Sequence, residues 1–233
     1  MFTASSQLFL WQQIRYDKIL TLNIAGRSGF SLYADVLLVR HGESEANATG
    51  RFASHSWDPH LTSLGLQQAE ALAIQLHNAP IRYVVTSPLA RAQETIAPIA
   101  RDHQLTPIVI ADLAEVNLGK WDGEHLKDLE QRDSDSYKAW RRDPEQYPPP
   151  GGERILTVGR RVLAALAKFV TESPPGLTIA ATHADCVKGA CLVIMNAEGP
   201  ATRKILVPNT GQVLLRHWDN GRWSIVLAPI FCG

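Results

Sequence analysis

An arginine and a histidine stand side by side where an apolar run stops: Leu37 to Asn47 reads LLVRHGESEAN. Two further runs end in a similar way. RYVVTS ends at Ser87, with Arg91 just beyond it, and LTIAAT is followed by His183. If the three runs are neighbouring strands, Arg40, His41, Arg91 and His183 converge on one spot. Two guanidinium forks and nearby helix amino termini match the oxygens of a tetrahedral anion. A histidine in such a site has two uses. It can donate a hydrogen bond to the anion, or a ring nitrogen can attack phosphorus and carry the phosphoryl group. Arginines close by repel a further cation, so His41 is expected to be neutral, which is the form that attacks. Singly these residues mean little, since an Arg-His pair at a strand end is ordinarily a solvated loop and exposed arginine is the norm.

Strands and helices alternate from Ala34 onward, and that alternation is what makes convergence credible. DVLLV is a short buried strand. LTSLGLQQAEALAIQLHN has Leu66, Ala69, Ala73 and Leu76 at helical spacing, with Thr62 able to cap its start. RYVVTS is a second strand. Ser87 and Pro88 read as the cap and first residue of the next helix, PLARAQETIAPIARDH, and Pro98 predicts a kink or an early end. TPIVI is a third strand. GGERILTVGRRVLAALAKFV places Ile155, Val158, Val162, Leu166 and Phe169 on one face. LTIAAT is a fourth strand, followed by the helix ADCVKGACLVIM. KILV, GQVLLRHW and RWSIVLA are the last apolar runs, the final two forming a hairpin over Asp219-Asn220-Gly221. The pattern predicts an α/β three-layer sandwich with a mostly parallel sheet between helices, and ligands at the carboxyl ends of the strands.

The chain has 233 residues, enough for one domain with a substantial core. Lys plus Arg and Asp plus Glu are balanced at 23 each, which argues against nucleic acid or an anionic membrane as a general partner. No stretch has the length of a transmembrane helix. Cys186, Cys191 and Cys232 are too few and too scattered for a disulfide framework or a metal site, as expected for reduced thiols in a cytoplasmic protein. Glu43, Glu45 and Asp58 lack the companion ligands of a metal centre, so no metal and no cofactor is expected. Residues 1–34 are fairly apolar and hold one acid, Asp17. They read as an extension outside a domain spanning 35–233, and their role stays open among a targeting leader, a packing extension and an untranslated upstream segment. Residues 122–150 are polar and Pro-rich, an inserted loop or small cap expected to wall the pocket.

Six segments, in order, resemble the histidine phosphatase superfamily, the phosphoglycerate mutase-like family, across about Asp35 to Trp223. They are RHGESEAN, LTSLGLQQA, SPLARAQET, LAEVNLGKWDG, PPGGE and THADCVKGA. The resemblance implies that His41 becomes phosphohistidine and that Arg40, Arg91 and His183 hold the phosphoryl oxygens. It gives Glu115 the role of acid and base, where the residues alone leave Asp112, Asp122 and Glu124 as competitors. Ser44, Asn47 and the backbone N–H of Ala184 are candidate contacts to phosphate or substrate. The chain departs from the pattern after the second histidine, where Ala184 and Asp185 replace the usual glycine. His55 and His60 are candidates for the pocket mouth, and Trp57 or Trp121 for a wall against an apolar substrate part.

The function implied is hydrolysis of a small phosphomonoester. The alternatives are a mutase, which shares the phosphohistidine, and a phosphatase-like module that binds phosphorylated ligands without turnover. Similar mutases follow their acid with an Arg-His-Tyr run, whereas Glu115 is followed by uncharged Val116, Asn117 and Leu118, with Lys120 the nearest cation. A small molecule suits a walled pocket better than a protein surface does, and a homodimer is compatible with the sequence.

Overall fold

The computed structural model describes residues 33–227. Residues 1–32, and with them almost all of the amino-terminal extension, lie outside the described residues, as does Cys232.

Six strands form one sheet: β1 (Tyr33–Arg40), β2 (Ile81–Thr86), β3 (Ile108–Val109), β4 (Leu177–Thr182), β5 (Gln212–Trp218) and β6 (Trp223–Val226). Their order across the sheet is β3-β2-β4-β1-β5-β6. β1 and β2 both run parallel to β4, β3 runs parallel to β2, and β5 and β6 are antiparallel additions. The strand that sequence order puts first therefore sits deep in the sheet, covered on both faces. That is why Val36 to Val39 form an unbroken apolar run rather than an alternating one. The hairpin over Asp219-Asn220-Gly221 forms, with Gly221 at φ +79°.

Helices cover both faces. α1 (Glu45–Thr49) follows the first strand, and α2 (Ser63–Leu76) and α3 (Ala90–Asp102) share one face. There Leu72, Leu76, Ile96 and Ile99 meet Leu37, Val39 and Ile179. α6 (Ile155–Glu172) and α7 (Ala184–Met195) take the other, where Val158, Val162 and Leu166 meet Val36, Leu38 and Ala180. Between β3 and α6 the short helices α4 (Leu126–Arg132) and α5 (Ser134–Arg142) make the cap expected from residues 122–150.

Four local expectations change. Helix α3 starts at Ala90 with Leu89 as its cap, so Ser87 and Pro88 precede it. Ser87 Oγ is taken by other partners described below. Helix α3 runs through Pro98 to Asp102 without ending. Pro98 is buried with Ile96 and Ile99, and that packing outweighs the one backbone bond its ring removes. The apolar run KILV, to which no element was assigned, lies in a 3-10 turn from Gly199 to Lys204 and the loop after it. TPIVI pairs only at Ile108 and Val109. β1 also begins at Tyr33, two residues ahead of the expected domain start.

Candidate active site

The sheet register brings the strand ends together. Arg40 pairs with Thr182 across β1 and β4, and Thr86 pairs with Ala181 across β2 and β4. The chain just past each strand is held too: His41 N donates to Thr182 O at 3.0 Å and Ser87 N to Ala181 O at 2.9 Å. The His41 and His183 rings are therefore 5.2 Å apart, centroid to centroid.

The turn carrying His41 is fixed from the α2 side. Thr62 caps that helix, accepting the Gly65 N–H at 3.1 Å. Gly65 lies so close to the turn that a Cβ there would stand 2.0 Å from Glu43 O, and one on Gly42 would meet Gly65 O at 2.7 Å. Gln68 Oε1 accepts the Glu43 N–H at 2.8 Å. On the other side Gly42 N donates to Thr95 Oγ1 at 2.9 Å, and Thr95 donates on to Arg91 O at 2.6 Å. Thus the threonine, glycine and glutamine of LTSLGLQQA and the threonine of SPLARAQET clamp RHGE, where side chains of any other shape would leave a clash or an unpaired group.

His41 is nearly fully buried, and burial together with the Arg91 and Arg40 charges lowers its pKa to about 3, so the ring is neutral. Its Nδ1 lies 2.6 Å from Gly42 O. A carbonyl only accepts, so Nδ1 carries the proton and the Nε2 lone pair is left free.

Ser87 sets the tautomer of His183. Ser87 Oγ accepts the Leu89 N–H at 3.2 Å and lies 2.8 Å from His183 Nε2. The hydroxyl proton has His183 Nε2 as its acceptor, which puts the ring proton on Nδ1. Burial and the Arg91 charge hold His183 well below its usual pKa, so this neutral tautomer persists. Among the described residues, the buried side-chain nitrogens and oxygens without a partner are Arg40 Nε, His183 Nδ1 and Gln212 Oε1. Two of the three are donors beside His41, which an anion seated there would satisfy.

Arg91 is 2% exposed and ion-paired to Asp58 at 3.3 Å, with a second bond to Ala53 O at 3.1 Å. Asp58 also accepts the Ala90 N–H at 2.8 Å. It is thus an arginine-positioning carboxylate that the sequence reading weighed only as a metal ligand. Glu43 accepts from Thr62 Oγ1 at 2.8 Å, and no three His, Cys, Asp or Glu side chains among the described residues are grouped to hold a metal ion.

Glu115 comes from the stretch between β3 and α4. Thr182 Oγ1 donates to Leu113 O at 2.8 Å and Cys186 Sγ to Ala114 O at 3.0 Å. His55 Nε2 and Arg161 Nη2 each lie 3.0 Å from Glu115 O. Glu153 of PPGGE pairs with Arg161 at 3.0 Å and accepts the Asn117 N–H at 2.8 Å. The Glu115 carboxyl is pushed up to about 7, first by burial and then by the Asp185 charge. The competitors are elsewhere: Asp122 accepts the Ser54 and His55 N–H groups, and Asp112 and Glu124 do not line the cavity.

The cavity at this spot has a volume of about 400 Å³, and Arg40, His41, Arg91 and Glu115 all line it. Ser44, Asn47 and Ala184 also line it. Ser44 and Asn47 also cap α1 reciprocally, and Asn209 donates to Asn47 Oδ1 at 3.1 Å. Leu126, Trp140 and Arg141 of the cap contribute to the wall. His55 sits behind Glu115 and His60 pairs with Glu94, so neither lines the cavity. Trp121 is core and Trp57 stacks under Arg51, leaving Trp140 as the tryptophan in the wall. Lys120 is outside the lining, whereas Lys188, inside THADCVKGA but given no role there, and Arg203, in none of the six segments, are in it.

The family profile of the histidine phosphatase superfamily (branch 1) matches residues 36–229. The chain belongs to that family. It is 37% identical over 135 residues to an adenosylcobalamin/alpha-ribazole phosphatase of Escherichia coli (strain K12), covering 57% of this chain and 66% of the relative. It is 34% identical over 141 residues to a probable phosphoglycerate mutase of Yersinia pestis (strain Pestoides F), covering 60% and 65%. These alignments span less than two thirds of the relatives' own length. The crystal structure of a putative alpha-ribazole-5'-P phosphatase from Escherichia coli K-12 superposes with a TM-score of 0.72 at 26% identity, over 83% of this chain and 95% of that one.

Proposed function

We propose that the protein is a phosphomonoester hydrolase that works through phosphohistidine at His41, with no metal, on a small phosphorylated metabolite. The observation that carries this is the pair of unsatisfied buried donors, Arg40 Nε and His183 Nδ1, beside an imidazole whose Nε2 lone pair is free. Arg40 and Arg91 supply fixed positive charge to the phosphoryl oxygens, as a metaphosphate-like transition state requires. His41 Nε2 attacks phosphorus while the bond to the leaving oxygen breaks. Glu115, held protonated by burial, gives that oxygen its proton. The resulting carboxylate then takes a proton from water, whose oxygen attacks phosphorus. The P–N bond breaks and releases orthophosphate and neutral His41. Cys186 and Cys191, both buried and free, support the cytoplasmic setting, and no helix among the described residues is long and apolar enough to cross a membrane.

Rapid acid quench with a labelled phosphomonoester tests the reading. It should trap an acid-labile, base-stable phosphoenzyme that is absent from His41→Ala. A fully active His41→Ala protein overturns it.

The second reading is a mutase, favoured by Arg141, Lys188 and Arg203 along the outer cavity and by the name of one relative. Against it, Val116 and Leu118 after the acid are buried and apolar, and supply no charge. Assays for 3- to 2-phosphoglycerate conversion and for free phosphate, run on one preparation, should show phosphate release the faster even with added 2,3-bisphosphoglycerate. Faster isomerisation makes the protein a mutase.

A further inference from the structure

The turn that leads into β5 grips the residues at the end of β1, and it lies in none of the six segments. Arg40 N donates to Gly211 O at 2.9 Å, and Arg40 Nη1 donates to Val207 O at 2.7 Å. The His41 carbonyl accepts from Thr210 N at 3.3 Å and from Asn209 Nδ2 at 3.2 Å. Asn209 Nδ2 also donates to Asn47 Oδ1 at 3.1 Å, and that oxygen accepts the Ser44 N–H at 3.1 Å. One side-chain amide thus commits both its hydrogens to residues 168 and 162 positions away.

The turn is tightly built for this. Gly211 N closes it onto Pro208 O at 2.9 Å, leaving Asn209 and Thr210 at its corners. Thr210 stands at φ +55°, in the left-handed region that a β-branched residue seldom adopts and that glycine fills freely. Such a conformation persists only where the surroundings fix it. Here two bonds do so, from Thr210 N to His41 O and from Thr210 Oγ1 to Asn209 O at 2.7 Å. A turn that merely started a strand would need neither the strained threonine nor a side chain reaching across to β1.

The hold on Arg40 is selective. Nη1 is pinned to Val207 O, while the buried Nε has no partner. Pinning one nitrogen fixes the roll of the planar guanidinium, so its free Nε keeps one direction. The hold on His41 completes the fixing of its backbone. Thr182 O takes its N–H at 3.0 Å, and the turn takes its carbonyl. An attacking nitrogen and a donor to the phosphoryl oxygens must keep a set distance from one phosphorus, and both are tied to this turn.

We propose that the turn at 207–211 is a positioning element of the reaction, with Asn209 its positioning residue, setting His41 and Arg40 in the geometry that the transition state demands more than bound phosphate does. This rests on the reading of His41 as the attacking group.

Binding of orthovanadate and of inorganic phosphate tests it without turnover. Vanadate takes a nitrogen as its fifth ligand and so mimics the phosphoryl group in transfer, whereas phosphate reports on the ground state. The wild-type protein should bind vanadate the more tightly. Asn209→Ala and Asn209→Leu, the second keeping the side-chain volume, should each weaken vanadate binding at least about tenfold while phosphate binding stays within about threefold. With 4-nitrophenyl phosphate, kcat should fall by a similar factor and KM should stay within about threefold. Vanadate affinity that stays within about threefold of wild type in both variants overturns the proposal. So does an equal weakening of both anions, which makes the turn merely structural. A wild-type protein with no preference for vanadate removes the attacking histidine, and the proposal with it. A vanadate preference that depends on Asn209, in a protein that releases no phosphate from 4-nitrophenyl phosphate, counts against the hydrolase and leaves the role of the turn standing.

Discussion

At the scale of single residues the site is a problem in protonation, and its pH dependence follows. In the proposed mechanism Glu115 must hold a proton to give one to the leaving oxygen. Its pKa is raised to about 7, so the protonated fraction falls as pH rises through 7, and kcat/KM should fall with it. His41 is lowered to about 3 and stays neutral well into the acid range, so it imposes no loss of activity near pH 5. Asp185→Asn removes a negative neighbour, eases ionisation of Glu115 and should move the alkaline limb to lower pH. A kcat/KM profile from about pH 4 to 9 on both proteins checks this, and an unmoved limb excludes Asp185 as the tuning charge. Stability should show the same group. The folded state keeps a proton on Glu115 that the unfolded chain releases near the ordinary value of 4.5. Stability is therefore lost as pH rises from about 4.5 to 7. Glu115→Gln should flatten that segment of the unfolding curve, measured by denaturant titration at each pH. Little of this could be read from the sequence. Asp185 was visible as a departure after His183, but its effect depends on sharing a dry space with Glu115. Ser87 looked like a helix cap because Ser-Pro commonly opens a helix. Its actual duty, orienting His183 from a strand 96 positions away, leaves no local mark.

At the scale of elements, α2 holds the turn that carries His41, the proposed nucleophile, through Gly65 and Gln68. Gly65→Ala would bring a methyl group to 2.0 Å from Glu43 O. The helix and the His41 turn must then part, at a cost of about 1–3 kcal/mol, and the near-attack geometry is lost with them. We expect kcat to fall at least about tenfold while far-UV dichroism is unchanged. Gln68→Ala leaves the Glu43 N–H without its acceptor and should produce a milder loss of the same kind. If Gly65→Ala keeps wild-type kcat, the clamp is not what positions His41. The elements themselves were mostly legible, for a plain physical reason. Interior strands such as VLLV and LTIAAT must be apolar on both faces, and α6 and α7 carry apolar stripes that point to the sheet. KILV carried no assignment because an apolar quartet fits loop packing as well as it fits a strand. Ile205 and Val207 pack against the core while Leu206 is 90% exposed. The cap was expected as a wall, and it is one. Its contribution of Trp140 and Arg141 to the cavity was not legible, because no pattern marks which face of a short helix meets a site built elsewhere.

At the scale of the whole molecule, the question is how much chain the site needs. The motifs run from Arg40 to His183, and the sheet that aligns them starts at Tyr33. Tyr33 pairs with Trp218 across β1 and β5, and Arg216 lies 3.7 Å from its ring centroid. Asp35 is 5% exposed and grips Arg216 through two bonds of 2.7 and 2.9 Å. Tyr33 and Asp35 are therefore working parts of the sheet. We propose that residues 1–32 take no part in catalysis and that a chain starting at Tyr33 keeps wild-type kcat. A chain starting at Val36 loses the ring over Arg216, worth about 0.5–1 kcal/mol. It also removes the two bonds that Asp35 makes to the half-buried Arg216 guanidinium. Thermal unfolding should place the shorter truncation a few degrees below the longer one for a domain of this size, since about 2–4 °C of Tm accompanies each kcal/mol. The catalytic residues are untouched in either, so whatever of the shorter chain stays folded at low temperature should still form the phosphoenzyme. If the chain starting at Tyr33 folds with an unchanged Tm but has lost its activity, the extension reaches the cavity, and the substrate site is larger than residues 33–227 alone define.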